Sequence, residues 1–237
     1  MSMSRRRVRA IVRKEFREYR RNGNIIATMA VIPVIFAITP LVDMSSTAAS
    51  TLRHENLLLY MLGIPAIVPA IVAAYSVAGE RDQGTLEPVL TTPIRREEFL
   101  LAKELAVIVP SLAISCLWYG IVIACVALFG PPAGLPALLR APDLLGLLLF
   151  TPLVAGWSIW IGIAISARMA DVRAAAQLGA VASLPAIAVA ALIAFNVVHA
   201  TLGLALGLAA ALLALDGFGW RIMLAMFDRE RLVTGTR

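Results

Sequence analysis

Long apolar segments are the feature that most constrains how this chain can fold. A helix that crosses a bilayer needs about 20 apolar residues at about 1.5 Å of rise each. Six segments of the 237-residue chain meet or approach that length: Ile25–Val42, Leu57–Ala78, Leu105–Phe129, Leu144–Ser166, Ala174–Phe195 and Ala200–Leu215. A soluble domain needs more polar surface than a chain with 60% hydrophobic and 15% charged residues provides. The sequence therefore predicts an all-α integral membrane protein with six transmembrane helices.

The basic residues predict which side of the membrane each loop occupies, because lysine and arginine concentrate on the cytoplasmic side. Of 21 lysines and arginines, only Arg53 and Arg140 lie in the loops after spans one, three and five. We therefore expect a multi-pass protein of the cytoplasmic (inner) membrane with both termini in the cytoplasm. The same distribution explains the net charge of +6 without a nucleic-acid partner. The chain is predicted to be one transmembrane domain, 1–237, with an interfacial helix at 1–24, the spans at 25–217 and a cytoplasmic tail at 218–237.

The segment before span one has the apolar spacing of an amphipathic helix. The apolar residues recur on one side of residues 5–21: Val8, Ile11, Val12, Phe16 and Tyr19. Arginines occupy the other side. Such a helix lies in the membrane interface, with its apolar side at the acyl boundary and its basic side on anionic headgroups, so membrane lipids are expected partners. The alternative is a disordered basic tail, which the regular spacing disfavours.

The loop between spans two and three carries more structural signals than a simple connection needs. Gly84 and Thr85 predict a turn and a helix N-cap, with Glu87 in the first turn of a short helix. Thr92 and Pro93 predict a second helix start that continues directly into span three. The loop also holds apolar residues that need an apolar partner: Leu86, Val89, Leu90 and Phe99. A solvated loop with ordinary caps explains the caps but not this apolar set, so we expect the loop to dock against another protein.

Motifs for catalysis and for ion coupling are missing from the sequence. Gly79 and Gly84 have the spacing of a phosphate-binding loop, but the lysine of that motif is absent. Cys116 and Cys125 lie on opposite sides of the predicted third span, and no nucleophile is paired with a base. Spans two to five, as predicted, contain no Asp, Glu, Lys or Arg, which disfavours an ion-coupled carrier. We predict no catalytic, cofactor-binding or metal-binding residues in this chain.

Four stretches resemble the permease subunits of ABC-2-type ABC transporters. They are Lys14–Arg21, Glu80–Arg95 followed by Lys103, Ser166–Gln177 followed by Pro185, and Phe227–Leu232. The second stretch is similar to the most recognisable run of that family, an acidic-basic pair, Gly-Thr-Leu-Glu, then Thr-Pro and a later lysine. The resemblance covers the whole chain with six spans in register.

The resemblance implies that the loop between spans two and three forms a coupling helix, which docks into a separate ATPase subunit. It implies an ATPase-coupling role for Glu80, Arg81, Gly84, Thr85, Leu86, Glu87, Leu90, Thr92, Pro93, Arg95 and Lys103. It also implies two copies of that ATPase, which would hold ATP and Mg, and a second permease copy or a paralogue. The chain itself would be a transport subunit rather than an enzyme, and an exporter. The short link Asn196–His199 leaves no large outer domain, which favours a smaller lipid-like, drug-like or ionic substrate over a polysaccharide.

Two other functions stay open. The chain could be a membrane-embedded assembly or scaffold protein that has a docking loop and no transport activity. An ion-coupled secondary transporter is a third reading, which the missing intramembrane charges disfavour. A neighbouring gene for an ATPase with a phosphate-binding loop would favour the permease over both.

Overall fold

The computed structural model describes residues 4–46, 56–82, 96–132, 134–169, 171–199 and 201–226. These residues form helices and short connections, and none of them lies in a strand. The helices are α1 (Arg5–Tyr19), α2 (Gly23–Ser46), α3 (Leu57–Tyr60), α4 (Gly63–Asp82), α5 (Arg96–Phe129), α6 (Gly134–Leu138), α7 (Ala141–Ser166), α8 (Val172–Ala182), α9 (Leu184–Ala194) and α10 (Leu202–Met226). The predicted all-α fold is confirmed.

Within these ranges, six segments are long and apolar enough to cross a membrane, which confirms the predicted number of spans. Helices α2, α5, α7 and α10 each form one span, the first, third, fourth and sixth. Span two combines α3 with α4, and span five combines α8 with α9. The division within span five falls at Ser183, whose hydroxyl donates to the carbonyl of Gly179 at 3.0 Å.

Several helices extend past their predicted apolar segments, because a helix ends where its caps lie rather than where its hydrophobicity falls. Helix α5 runs without interruption from Arg96, as predicted for a helix that continues into span three. It thereby includes Lys103 and Glu104, so the prediction that spans two to five lack charged residues is wrong for the spans as the structure bounds them. Helix α10 reaches Met226, and the predicted start of the tail at residue 218 falls inside it.

Span two is the centre of the bundle. Within the described structure, 78% of its apolar window is buried, compared with 11% for span six. Its helix α4 packs against α7 and α8, and glycines on both partners allow a close approach. A Cβ at Gly162 of α7 would overlap the carbonyl oxygen of Ala70, and a Cβ at Gly179 of α8 would lie 3.3 Å from the same oxygen. Spans two, four and five are therefore in van der Waals contact around Ala70.

Helix α10 packs mainly on α7, at the edge of the bundle. The rings of Trp160 and Trp220 meet edge to face with centroids 5.5 Å apart. The carboxylate of Asp216 lies beside Gly156, where an added Cβ would be 3.1 Å from its Oδ2. Large apolar side chains elsewhere on the spans are exposed, for example Leu148 and Leu202. In a membrane, such surfaces face lipid or another membrane protein.

Helix α1 forms where an amphipathic helix was predicted, but its apolar side contacts protein. Val8 and Tyr19 are buried, and α1 packs against the first turns of α5. The extension of α5 before residue 105 provides this surface, including the buried Phe99 and Leu100. The apolar side of α1 was predicted to face the acyl boundary of the membrane. Val8 and Tyr19 are instead buried against protein.

Candidate functional site

The candidate site lies where α1 meets both helices that border the loop 83–95. Helix α4 leads into that loop at Asp82, and α5 leaves it at Arg96. A cluster of polar groups joins α1 to the two helices. We call this cluster the α1 anchor, and it consists of Ser4, Arg7, Glu15, Ser76, Glu98 and Lys103.

The centre of the α1 anchor is the ammonium of Lys103 on α5. It donates to Oε1 of Glu15 on α1 and to the carbonyl oxygen of Ser76 on α4, both at 2.7 Å. The side chains of Lys103 and Glu15 are fully buried. The ring of Phe99 lies under the ammonium, with its centroid 5.5 Å from Nζ, within the range of a cation–π contact. One buried cation thus links three helices.

The second half of the α1 anchor is Glu98, whose side chain is buried. Its Oε1 accepts a hydrogen bond of 2.7 Å from the backbone N–H of Ser4, the N-cap of α1. Its Oε2 lies 3.4 Å from the guanidinium of Arg7. A carboxylate at a helix N-terminus is favourable because the helix dipole is positive there. Helix α1 is therefore attached to α5 at two points that are roughly 16 Å apart along its axis.

The α1 anchor also connects to span one through the corner between α1 and α2. The Oδ1 atom of Asn22 accepts from the N–H groups of Asn24 and Ile25, at 3.0 and 3.4 Å, at the start of α2. The corner is further held by the N–H of Asn22, which donates to the carbonyl of Glu18 at 3.1 Å. The α1 anchor and this corner therefore connect α4 and α5 to α1 and α2.

Charges fixed in place, rather than a reactive group, characterise this site. Among the described residues, no group of three or more His, Cys, Asp or Glu is placed to hold a metal ion. Lys103 and Glu15 are fully buried and paired with one another. What the arrangement can do is hold helices in a fixed relation around a loop.

The structure places only part of the predicted coupling set. Lys103 is in the α1 anchor and is fully buried. It therefore cannot contact a partner protein directly, and any effect on a partner would pass through α1 and α4, which it contacts. Glu80 and Arg81 belong to the last turn of α4, and their side chains are outside the description. The other predicted coupling residues lie outside the described residues: Gly84, Thr85, Leu86, Glu87, Leu90, Thr92, Pro93 and Arg95. The short helix predicted to follow Gly84 and Thr85 lies there too. The helix and the coupling role of these residues therefore stay predictions.

Neither Glu15 nor Glu98 was predicted from the sequence as part of the site. A signal for Glu15 exists, because it follows Ile11 by four residues and precedes Tyr19 by four, on the apolar side of α1. A carboxylate in an apolar stripe needs a buried partner. The sequence does not say that the partner is Lys103, because 88 residues separate the two. Glu98 has no comparable signal.

A second polar network closes the opposite end of the bundle. The guanidinium of Arg140, just before α7, lies 3.0 Å from Oδ2 of Asp143 and donates to Oδ1 of Asn56 at 3.3 Å. Asn56, just before α3, bonds the carbonyls of Ile193 and Ala194 at the end of α9, at 3.2 and 2.8 Å. Spans two, four and five are thereby connected at the end far from the loop 83–95.

Comparison with known protein families gives a match that spans most of the chain. The model of a family described as ABC-2 family transporter protein matches residues 9–229. The matched region holds all six spans, most of α1 and the loop 83–95. A search of curated proteins gives no significant match.

Proposed function

The chain belongs to the ABC-2 family of transporter proteins and is a membrane permease of an ABC transporter, and we propose that it is an exporter subunit powered by a separate ATPase. The observation that carries the proposal is the α1 anchor, because it fixes helices of the permease on both sides of the loop that would receive the ATPase. A loop that only joined two spans would not require buried charges at its base, since burying charges is costly.

We place the docking element at residues 80–95. Its apolar residues Leu86 and Leu90 would insert into a cleft on the ATPase, and the charged residues Glu80, Arg81 and Glu87 would fix the register. ATP and Mg would bind the ATPase, because this chain lacks a phosphate-binding loop. Movement of the element on ATP hydrolysis would act on α4 and α5 directly, and on α1 and α2 through the α1 anchor.

We propose an assembly of two ATPase copies with two permeases, the second being a copy of this chain or a paralogue. The exposed apolar surface of the spans, for example on α10, supports a membrane partner as well as lipid. The distribution of arginine and lysine supports the inner membrane, with both termini and the docking element in the cytoplasm. The short connection between α9 and α10 supports a smaller lipid-like, drug-like or ionic cargo rather than a polysaccharide.

The docking proposal is tested with two variants, Leu86→Asp and Leu90→Asp. A carboxylate in an apolar cleft costs about 1–3 kcal/mol or more, because nothing there hydrogen-bonds to it. The purified variants should lose the ATPase while inserting normally into the membrane. The matched control is Val197→Asp, which adds the same charge at a side chain that is 66% exposed near the end of α9. If both loop variants co-purify with the ATPase at wild-type yield and still transport, the loop is not the docking element and a scaffold function gains support.

A further inference from the structure

A cavity of about 430 Å³ lies between the α1–α2 corner and the end of α4. Its volume is within the range of about 300–1,000 Å³ that is typical of small-molecule sites. The lining includes Glu15, Glu18, Arg21, Tyr19 and Tyr75, which are charged or aromatic. Open space lies beside Gly23 and Gly79, because a Cβ added at either would have no atom within 4 Å apart from its chain neighbours and its own helix backbone. Nothing in the proposed docking mechanism uses this space.

The cavity presents charges of both signs. Arg21 is exposed and makes no ion pair with any residue that the structure describes. Glu18 is three residues earlier on α1 and lies 3.3 Å from Lys14, in a pair whose side chains are 46% and 39% exposed. A solvated pair of this kind is weak, so Glu18 can exchange Lys14 for another cation. Glu15, in contrast, is committed to Lys103. Arg21 and Glu18 are therefore the two charges that a ligand can use.

The aromatic lining suits a ligand that is cationic and lies at a membrane boundary. Tyr19 and Tyr75 both line the cavity, one from α1 and one from α4. The face of a tyrosine ring attracts an ammonium group. Tyrosine is also enriched at the level of lipid headgroups, where one end of the side chain is apolar and the other is wet.

The position of the cavity along the spans also corresponds to the level of the lipid headgroups. Gly23 and Ile25, which line it, are at the start of span one, and Ser76, which also lines it, is at the end of span two. Both positions mark the transition from hydrocarbon to headgroups. This placement depends only on where the spans end. It holds whichever side is cytoplasmic and whether or not an ATPase binds the loop.

We propose that the cavity binds the headgroup of an aminophospholipid such as phosphatidylethanolamine. The guanidinium of Arg21 binds the phosphate through charge-assisted hydrogen bonds, which arginine forms readily with phosphate oxygens. The carboxylate of Glu18 and the tyrosine rings take the ammonium. A phospholipid without an ammonium group would satisfy Arg21 but would leave Glu18 facing a neutral or anionic headgroup.

The test measures binding to the full-length protein, purified in detergent, by native mass spectrometry. The probes are dihexanoyl-phosphatidylethanolamine, dihexanoyl-phosphatidylglycerol and glycerophosphoethanolamine, which carries the headgroup without acyl chains. We expect the wild type to bind the first lipid about tenfold more tightly than the second, since one charge-assisted hydrogen bond accounts for that factor. The headgroup alone should bind more weakly than the lipid, because it lacks buried chains.

Single substitutions distinguish the contributions of Arg21 and Glu18 to lipid binding. Arg21→Gln should weaken binding of both lipids about tenfold, and Glu18→Gln should remove the preference for the ethanolamine lipid. Arg17→Gln, an exposed residue of α1 that does not line the cavity, is the matched control and should change neither. Gly79→Leu should block binding by filling the cavity without altering either charge.

Three results would overturn the proposal. Equal binding of the two lipids to the wild type would remove the role of the ammonium. Equal weakening by Arg21→Gln and Arg17→Gln would reduce the effect to general attraction by a basic helix. Binding of glycerophosphoethanolamine as tight as that of the lipid would assign the cavity to a soluble zwitterion instead. The proposed ATPase docking is unaffected by any of these results, because none of the variants lies in residues 80–95.

Discussion

Replacing Lys103 by methionine removes the cation of the α1 anchor while keeping the length and apolar body of the side chain. At 2.7 Å and an effective dielectric constant of about 20, the attraction between Lys103 and Glu15 is about 6 kcal/mol. Desolvation of the two buried charges offsets much of it. The variant, however, keeps the desolvation of Glu15 and loses the attraction. We therefore expect Lys103→Met to lower the free energy of unfolding by about 3–5 kcal/mol.

The free energy of unfolding of each variant is measured in mixed micelles, by unfolding the protein with an increasing fraction of a denaturing detergent. Lys14→Met is the matched control, because Lys14 pairs with Glu18 on the surface and lies 3.8 Å from the same Glu15 oxygen. Its cost should be about 0–1 kcal/mol. The double variant Glu15→Leu with Lys103→Met should recover much of the stability, because neither charge is then buried alone.

The same variants test the coupling role of the α1 anchor. If Lys103 only stabilised the fold, the double variant would transport normally once its stability is restored. We expect it to remain impaired in ATP-driven transport, because the hydrogen bond of Lys103 to the carbonyl of Ser76 is also lost. If Lys103→Met lowers the free energy of unfolding no more than Lys14→Met does, the buried pair of Lys103 and Glu15 does not stabilise the fold as proposed.

Three further predictions follow from the packing, the topology and the missing phosphate loop. Gly162→Val should lower the free energy of unfolding by about 1–3 kcal/mol through overpacking against Ala70, whereas Gly120→Val, where an added Cβ contacts no other helix within 4 Å, should cost less in the same unfolding assay. Single cysteines at positions 92 and 234 should react with an impermeant thiol reagent only from the cytoplasmic side, and those at 46 and 133 only from outside, in a chain lacking Cys116 and Cys125; outside labelling at 92 would contradict the topology. The purified chain alone should neither bind nor hydrolyse ATP, and calorimetric detection of nucleotide binding would refute the assignment of ATP to a partner.

The sequence was sufficient for the number and order of the spans, because length and hydropathy are local properties of each segment. The continuation of a helix into span three was predicted and is observed from Arg96 onward, whereas its predicted start at Thr92 and Pro93 lies outside the described residues. Helix ends were less predictable. Helix α5 continues through charged residues that hydropathy excludes from a span, and α10 does so at Asp216.

Which residues make the close helix contacts could not be predicted. Gly203 and Gly207 are four residues apart, a spacing common where helices pack closely. A Cβ added at either would nevertheless contact no other helix within 4 Å. Tight contacts occur instead at Gly63, Gly162 and Gly219, among others. In a chain so rich in small residues, the spacing recurs by chance, and the contact depends on which helix lies opposite.

The candidate site was predictable in part. The family resemblance indicates Lys103, and the apolar stripe of α1 contains the signal for Glu15. Their pairing is a property of the tertiary structure, because it depends on α1 folding back against α5. The central position of span two is likewise a property of the assembled bundle, since its composition does not differ enough from that of its neighbours.

The most direct measurement of the central claim is a photo-crosslink from position 90. A photoreactive amino acid replaces Leu90 in the full-length protein, cells are irradiated, and the crosslinked product is identified by mass spectrometry. We expect a crosslink to a protein that carries a Gly-x-x-x-x-Gly-Lys-Ser/Thr phosphate-binding loop, and we expect this crosslink to be lost when Leu86→Asp is added. The same photoreactive group at position 197, near the end of α9, should not yield this product. Crosslinks from position 90 only to lipid, or to a protein without that loop, would contradict the claim that an ATPase docks here.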